Sequence, residues 1–163
     1  MKVPASVPDA PSVRDAGGPG SAYPARMTLP IDLDALLAAA KVTRRPLALP
    51  RDCSAGAVGA AVLAASGELF TGVNLDLACG IGFCAEHSAV AEMLKTGQTR
   101  VLAVAAFGRR GVLPPCGRCR ELLTQLHPDN TAAAVLVAPG EAVPLGELIP
   151  RHWYPSEAGA EAG

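Results

Sequence analysis

The sequence predicts an α/β fold, a mixed sheet with helices packed on its faces. Three observations carry this. Residues 57–64, 101–107 and 133–138 are apolar runs of strand length, the pattern of strands buried on both sides. Between them, Ala89, Val90, Met93 and Leu94, and then Leu122, Leu123 and Leu126, recur at helical spacing. The elements alternate in the order α-β-β-α-β-α-β-β-α, which a layered sheet accommodates.

Residues 31–41 read as a first helix, with Leu33, Leu36, Leu37 and Ala40 on one side. Pro46 and Pro50 then interrupt the chain. Residues 57–64 form a central strand, Ser66-Gly67 a turn, and residues 68–74 the second arm of a hairpin. Gly80 and Gly82 make a flexible loop into a helix over about 84–96, closed by Gly97 after Lys95. A buried strand over 101–107 and a loop over 108–115 lead to a helix over about 116–126. His127-Pro128-Asp129-Asn130 ends that helix. Residues 133–138 are a further strand, 142–143 a short one, and 145–149 a helical turn. Residues 1–27, rich in Pro, Gly, Ala and Ser, are expected to be a disordered tail, with Met27 an alternative start. One domain over 28–155 and a short disordered tail over 156–163 complete the organisation.

Composition narrows the function. The 163 residues suit one domain with a proper core. Half are apolar, yet no run approaches the ~20 residues of a membrane span. The formal net charge is −1 and Lys/Arg residues form no dense cluster, which argues against a nucleic-acid partner. Five cysteines is an odd number and fits reduced thiols in a cytoplasmic protein better than a disulfide framework.

The chemistry-bearing stretches are Cys84-Ala85-Glu86 and Pro115-Cys116-Gly117-Arg118-Cys119. Each opens a predicted helix, and a helix N-terminus favours thiolate over thiol. Cys116 and Cys119, at i and i+3, share one face of a first turn. Three thiolates leave one corner of a tetrahedral Zn²⁺ open, as catalytic zinc requires. Zinc at an open corner makes a water acidic enough to react near neutral pH. Glu86 stands close enough to exchange protons there without binding the metal. C-x-x-C alone also occurs in redox motifs and structural zinc sites. A structural site would draw a fourth ligand from Cys53, Cys79, His87 or His127.

With the carboxylate in place, the spacing is that of zinc nucleobase deaminases in a three-cysteine form. The chain resembles the cytidine deaminase superfamily over roughly residues 31–154. The segments Val58-Gly59-Ala60-Ala61, Phe70-Thr71-Gly72-Val73-Asn74, Cys84-Ala85-Glu86, Pro115 to Arg120 and Glu147-Leu148-Ile149-Pro150 stand in family order. The stretch from Gly111 to Pro128 looks particularly like the blasticidin-S deaminase branch. The resemblance implies a three-layer α-β-α fold around a mixed five-stranded sheet and a homotetramer. It also implies one Zn²⁺ per subunit and hydrolytic deamination of a free cytosine nucleoside such as cytidine or deoxycytidine. A larger nucleoside such as blasticidin S is the alternative substrate, and a non-catalytic zinc-stabilised module or a polynucleotide deaminase is the alternative class.

The resemblance assigns roles residue by residue. Cys84, Cys116 and Cys119 would hold the metal. Glu86 would protonate ring N3 and relay the water's proton to departing ammonia. Asn74 and Asp76 align with a ribose-binding Asn and Glu, with Asp76 one methylene shorter. The Ala85 N–H would meet the base carbonyl, and the Pro114 carbonyl the exocyclic amine. His87 replaces an Arg that bonds a zinc thiolate, so Arg120, helped by His87, is expected to draw charge from the sulfurs. Trp153 falls where the family carries a pocket-closing aromatic, with Tyr154 beside it. Gly56 replaces a Phe that packs on the base, a loss expected to leave room. Cys53 and Cys79 read as small buried thiols.

Overall fold

The computed structural model describes residues 31–153. Expectations for 1–27, 156–163 and Tyr154 lie outside that span. Helix α1 (Leu33–Thr43) begins with Asp32, whose side chain accepts the Ala35 N–H. The two-residue strand β1 (Leu47–Ala48) follows, then β2 (Ser54–Ala64) and β3 (Leu69–Asp76). After them come α2 (Ala85–Leu94), β4 (Val101–Gly108) and β5 (Gly111–Val112). Helix α3 (Gly117–Leu126), a 3₁₀ turn (Pro128–Ala132), β6 (Ala134–Ala138), β7 (Glu141–Pro144) and α4 (Leu145–Leu148) complete the chain.

The sheet has seven strands, where five were expected. The five long ones lie in the order β3-β2-β4-β6-β7. All neighbours are antiparallel except β4 and β6, which α3 links as a crossover. The extra two are β1 against the start of β2 and β5 against the end of β4. Each is two residues long, too short to show any alternation in the sequence.

The alternation of side chains along the strands makes two cores. Ala61, Ala103, Ala105 and Leu136 face α1 through Leu36, Leu37 and Ala40. Val62, Val104 and Val135 face the other way, toward Ala89, Val90 and Met93 of α2 and Leu123 of α3. The result is three layers: α1, the sheet, then α2 and α3. Close approach of α2 depends on Gly72, where an added Cβ would lie 2.3 Å from the Ala89 backbone nitrogen. Small side chains continue this fit at the head of the helix, where Ala60, Ala85 and Ala106 are all buried together.

Asn130 ties the second layer to the sheet. It is 0% exposed. Its Oδ1 accepts the Val101 N–H at 2.7 Å, and its Nδ2 donates to the carbonyls of Leu123 and Thr99 at 2.9 and 3.0 Å. The helix-ending segment read from the sequence is therefore also a clamp between α3 and β4.

Candidate metal centre and active site

Helices α2 and α3 start at the same place. Cys84 is the N-cap of α2 and Cys116 the N-cap of α3, and neither makes a side-chain capping bond. Both helix starts therefore carry sulfur where a Ser or Asp would otherwise satisfy the first turn. Cys84 Sγ and Cys116 Sγ are 3.5 Å apart, and so are Cys116 Sγ and Cys119 Sγ. Zn–S bonds of about 2.3 Å in a tetrahedron separate sulfurs by about 3.8 Å. The three thiols thus fit a zinc ion, as the donor chemistry requires. His87, on the next turn of α2, places Nδ1 3.6 Å from Cys119 Sγ.

The sulfurs open onto a cavity of about 530 Å³, within the range of small-molecule sites. Cys84, Cys116 and Glu86 line it. Glu86 is only 5% exposed, and its burial pushes the carboxyl pKa up, against smaller opposing contributions from its own backbone N–H and from Cys119. Burial likewise raises the thiol pKa of Cys84 and, strongly, of Cys119 in the metal-free protein. Burial opposes ionisation of Cys116 too, but bonds from the backbone and side chain of Cys119 outweigh it and leave that pKa lowered. His87 is shifted down by burial and by the nearby Arg118. These are properties of the bare thiols, which a bound cation would reverse.

Ala85 and Pro114 also line the cavity, as do Asn74 and Asp76. Asn74 is 7% exposed and occupied on both sides: Oδ1 accepts the Val58 N–H at 2.8 Å and Nδ2 donates to Asp76 Oδ2 at 2.7 Å. Asp76 is exposed and also accepts from the Ser54 hydroxyl at 3.4 Å.

Four expectations meet a different geometry. Arg120 Nε donates to the Pro115 carbonyl at 2.8 Å and Nη1 to the Leu148 carbonyl at 2.9 Å, bracing the cysteine loop against α4. The arginine at a sulfur is Arg118, whose Nη2 lies 3.9 Å from Cys84 Sγ. Its signal was present in the sequence, since it sits inside the C-x-x-C turn. Trp153 is 77% exposed and not part of the cavity lining; its backbone N–H bonds the Glu121 carboxylate. Gly56 leaves no gap. It has φ +70°, and an added Cβ would lie 2.0 Å from the Arg45 carbonyl oxygen, so backbone fills the space and Ala57 and Val58 form the wall. Cys79 is exposed and Cys53 half-buried, where both were expected inside.

Comparison with known proteins agrees with this arrangement. Residues 34–135 match the cytidine and deoxycytidylate deaminase zinc-binding region. A cytidine deaminase of Mycobacterium tuberculosis H37Rv is 38% identical over 96 residues, 58% of this chain and 70% of that protein. A blasticidin-S deaminase of Bacillus cereus is 28% identical over 103 residues, 57% of this chain and 74% of that one. The crystal structure of the cytidine deaminase from Mycobacterium tuberculosis superposes with a TM-score of 0.65 at 30% identity. The match covers 77% of this chain and 99% of that one. Three sulfurs at two helix starts, a buried carboxylate beside them and this similarity lead to one conclusion: the chain belongs to the cytidine and deoxycytidylate deaminase zinc-binding family.

Proposed function

We propose that the protein hydrolytically deaminates a free cytosine nucleoside, cytidine or deoxycytidine, to the uracil nucleoside and ammonia. The observation that carries this reading is Glu86, a buried carboxylate in the wall of a nucleoside-sized cavity beside three clustered thiols. Zinc held by Cys84, Cys116 and Cys119 supplies the Lewis acidity that makes a water nucleophilic near neutral pH.

The chain's own residues do the rest. Burial raises the pKa of Glu86, and its place in the cavity wall lets one group give a proton to ring N3 and later carry another to the leaving amine. The Ala85 N–H, in the first turn of α2, receives the base carbonyl, and the Pro114 carbonyl receives the exocyclic amine. Asn74 fixes the Asp76 carboxylate, which presents itself to the sugar hydroxyls. Arg118 at Cys84 and His87 at Cys119 offset the negative charge of three thiolates. Arg120 acts indirectly, by fixing the loop that carries Pro114 and Cys116.

A near-neutral chain with no dense basic cluster suits a free nucleoside rather than a polynucleotide. Among the described residues no helix is long and apolar enough to cross a membrane. We infer a cytoplasmic protein from the odd cysteine count, and a homotetramer, a reading supported by exposed Ile81, Phe83 and Trp153. A larger or modified cytosine nucleoside is the second reading, supported by the cavity volume and the similarity to the Bacillus cereus protein.

The test is ammonia or amine release by the zinc-loaded protein. The substrates are cytidine, deoxycytidine, cytosine, N4-substituted cytidines and blasticidin S. Turnover of the first two ahead of the rest is expected; no release from any cytosine compound would overturn the proposal.

A further inference from the structure

The cavity face of the sheet lacks a side chain near its rim. Ala106 and Gly108 are two residues apart on β4 and so stand on the same face, while Phe107 between them packs on the α1 side. On β2, Ala60 stands opposite Ala106 and Gly59 opposite Phe107, which brings Val58 beside Gly108. On the other side of β4, Gly111 of β5 stands opposite Gly108. Leu113 comes two residues later, its N–H bonded to the Ala106 carbonyl at 3.0 Å.

The gap at Gly108 is filled from the side. A Cβ built there would lie 2.7 Å from Leu113 Cδ1 and 3.6 Å from Val58 Cγ2. Leu113 therefore leans over Gly108 toward Val58 and occupies the place of the absent side chain. Val58, Ala106 and Leu113 line the cavity, and Gly108, buried beneath, does not. Behind this surface Ala60, Ala85 and Ala106 pack together, none more than 2% exposed. The open space next to Leu113 is the cavity itself.

We propose that Leu113, seated over Gly108, is a specificity-determining residue: with Val58 it forms an aliphatic shelf that limits what the cytosine ring can carry at C5. The inference rests on the function proposed above. There the Pro114 carbonyl receives the exocyclic amine. Leu113 is the adjoining residue, and ring C5 adjoins the carbon that bears the amine. A hydrogen at C5 clears the shelf, whereas a methyl group or a bromine presses on it. Gly108 is a positioning residue, which touches no substrate and acts only through Leu113. Its φ lies outside the left-handed region, so alanine fits the backbone, and the clash falls on the free end of the Leu113 side chain. The packed alanines behind leave that end one way to move, into the cavity.

The test compares zinc-loaded wild type, Gly108→Ala, Leu113→Ala and the Gly108→Ala/Leu113→Ala pair. Ammonia release gives kcat and KM for cytidine, 5-methylcytidine and 5-bromocytidine, and circular dichroism checks the fold. A change of methyl size in an apolar pocket alters discrimination by about 10–200-fold. Gly108→Ala is expected to raise the preference for cytidine over the two C5-substituted substrates by about that factor, through KM rather than kcat. Leu113→Ala is expected to lower the preference. The pair should follow Leu113→Ala, because alanine at 108 then has no leucine to displace. An unchanged ratio in Gly108→Ala, or a pair that keeps the ratio of Gly108→Ala, overturns the proposal. If Gly108→Ala fails to fold, Leu113→Ala decides alone, and an unchanged ratio there overturns it. Calorimetric titration with uridine and 5-bromouridine reads the same discrimination without turnover. An active wild type whose ratio no variant moves sinks this inference alone. A wild type that neither deaminates nor binds a pyrimidine nucleoside sinks the deaminase reading and this inference with it.

Discussion

Replacing Asn130 with Ala tests how the metal-bearing helix is fixed to the sheet. Three side-chain bonds disappear together: those with Val101 N–H, Thr99 C=O and Leu123 C=O. Val101 is 2% exposed, so its amide is left dry and unpaired, at a cost of about 1–3 kcal/mol. The other two bonds contribute about 1 kcal/mol each. The sum is about 3–5 kcal/mol, a large share of the about 5–15 kcal/mol typical of a domain. Urea unfolding at fixed zinc concentration measures it, since bound metal otherwise adds its own stabilisation. Thr131→Ala is the control: its hydroxyl bonds the Pro128 carbonyl at the surface, and the change should stay within about 0.5 kcal/mol. An Asn130→Ala loss below about 1 kcal/mol would show that the clamp does not hold α3.

Glu86→Gln should keep zinc yet lower ammonia release by about 10²–10⁴-fold, and unchanged turnover would remove Glu86 from the chemistry. The same variant has a pH signature in zinc-free protein. Burial raises the folded-state pKa of Glu86, so its contribution to stability is complete below the unfolded value of about 4.3 and is lost as pH rises through the folded one. Glu86→Gln should therefore melt higher than wild type at neutral pH, the two converging in acid; parallel curves would contradict the burial. Gly56→Ala should cost about 2–4 kcal/mol, from left-handed backbone and the clash with the Arg45 carbonyl, read by thermal unfolding. A neutral outcome would mean the wall is not backbone-filled. Arg118→Ala should weaken zinc retention against a chelator by about 10–100-fold while leaving the zinc-free fold unchanged.

The long strands and all three helices of the layers were legible because each carries its own period. The metal donors were legible because their spacing is local to two helix starts. What escaped depended on contacts between distant segments. The clamp at Asn130 joins residues up to 31 positions apart, and nothing in its own neighbourhood announces this. Arg118 and Arg120 differ by two positions on α3, about 200° around the helix, so one reaches Cys84 while the other reaches α4. Alignment by sequence suggested an empty place at Gly56, but the pairing of β2 with β3 shifts register between Ala55 and Gly59. That irregularity lets the Arg45 backbone move in, and it cannot be read from residue types.

The two sulfur-bearing N-caps lie on opposite sides of the sheet's central strand in chain order. Cys84 precedes β4 and Cys116 follows it, 32 residues later. An ion bridging them closes a loop around that strand, and closing such a loop in an unfolded chain is costly. Of that strand's two neighbours, β2 precedes Cys84 but β6 follows Cys119, so all three sulfurs are made before the sheet is complete. An ion held there would tie the starts of α2 and α3 together across β4, independently of the strands that finish the sheet after them.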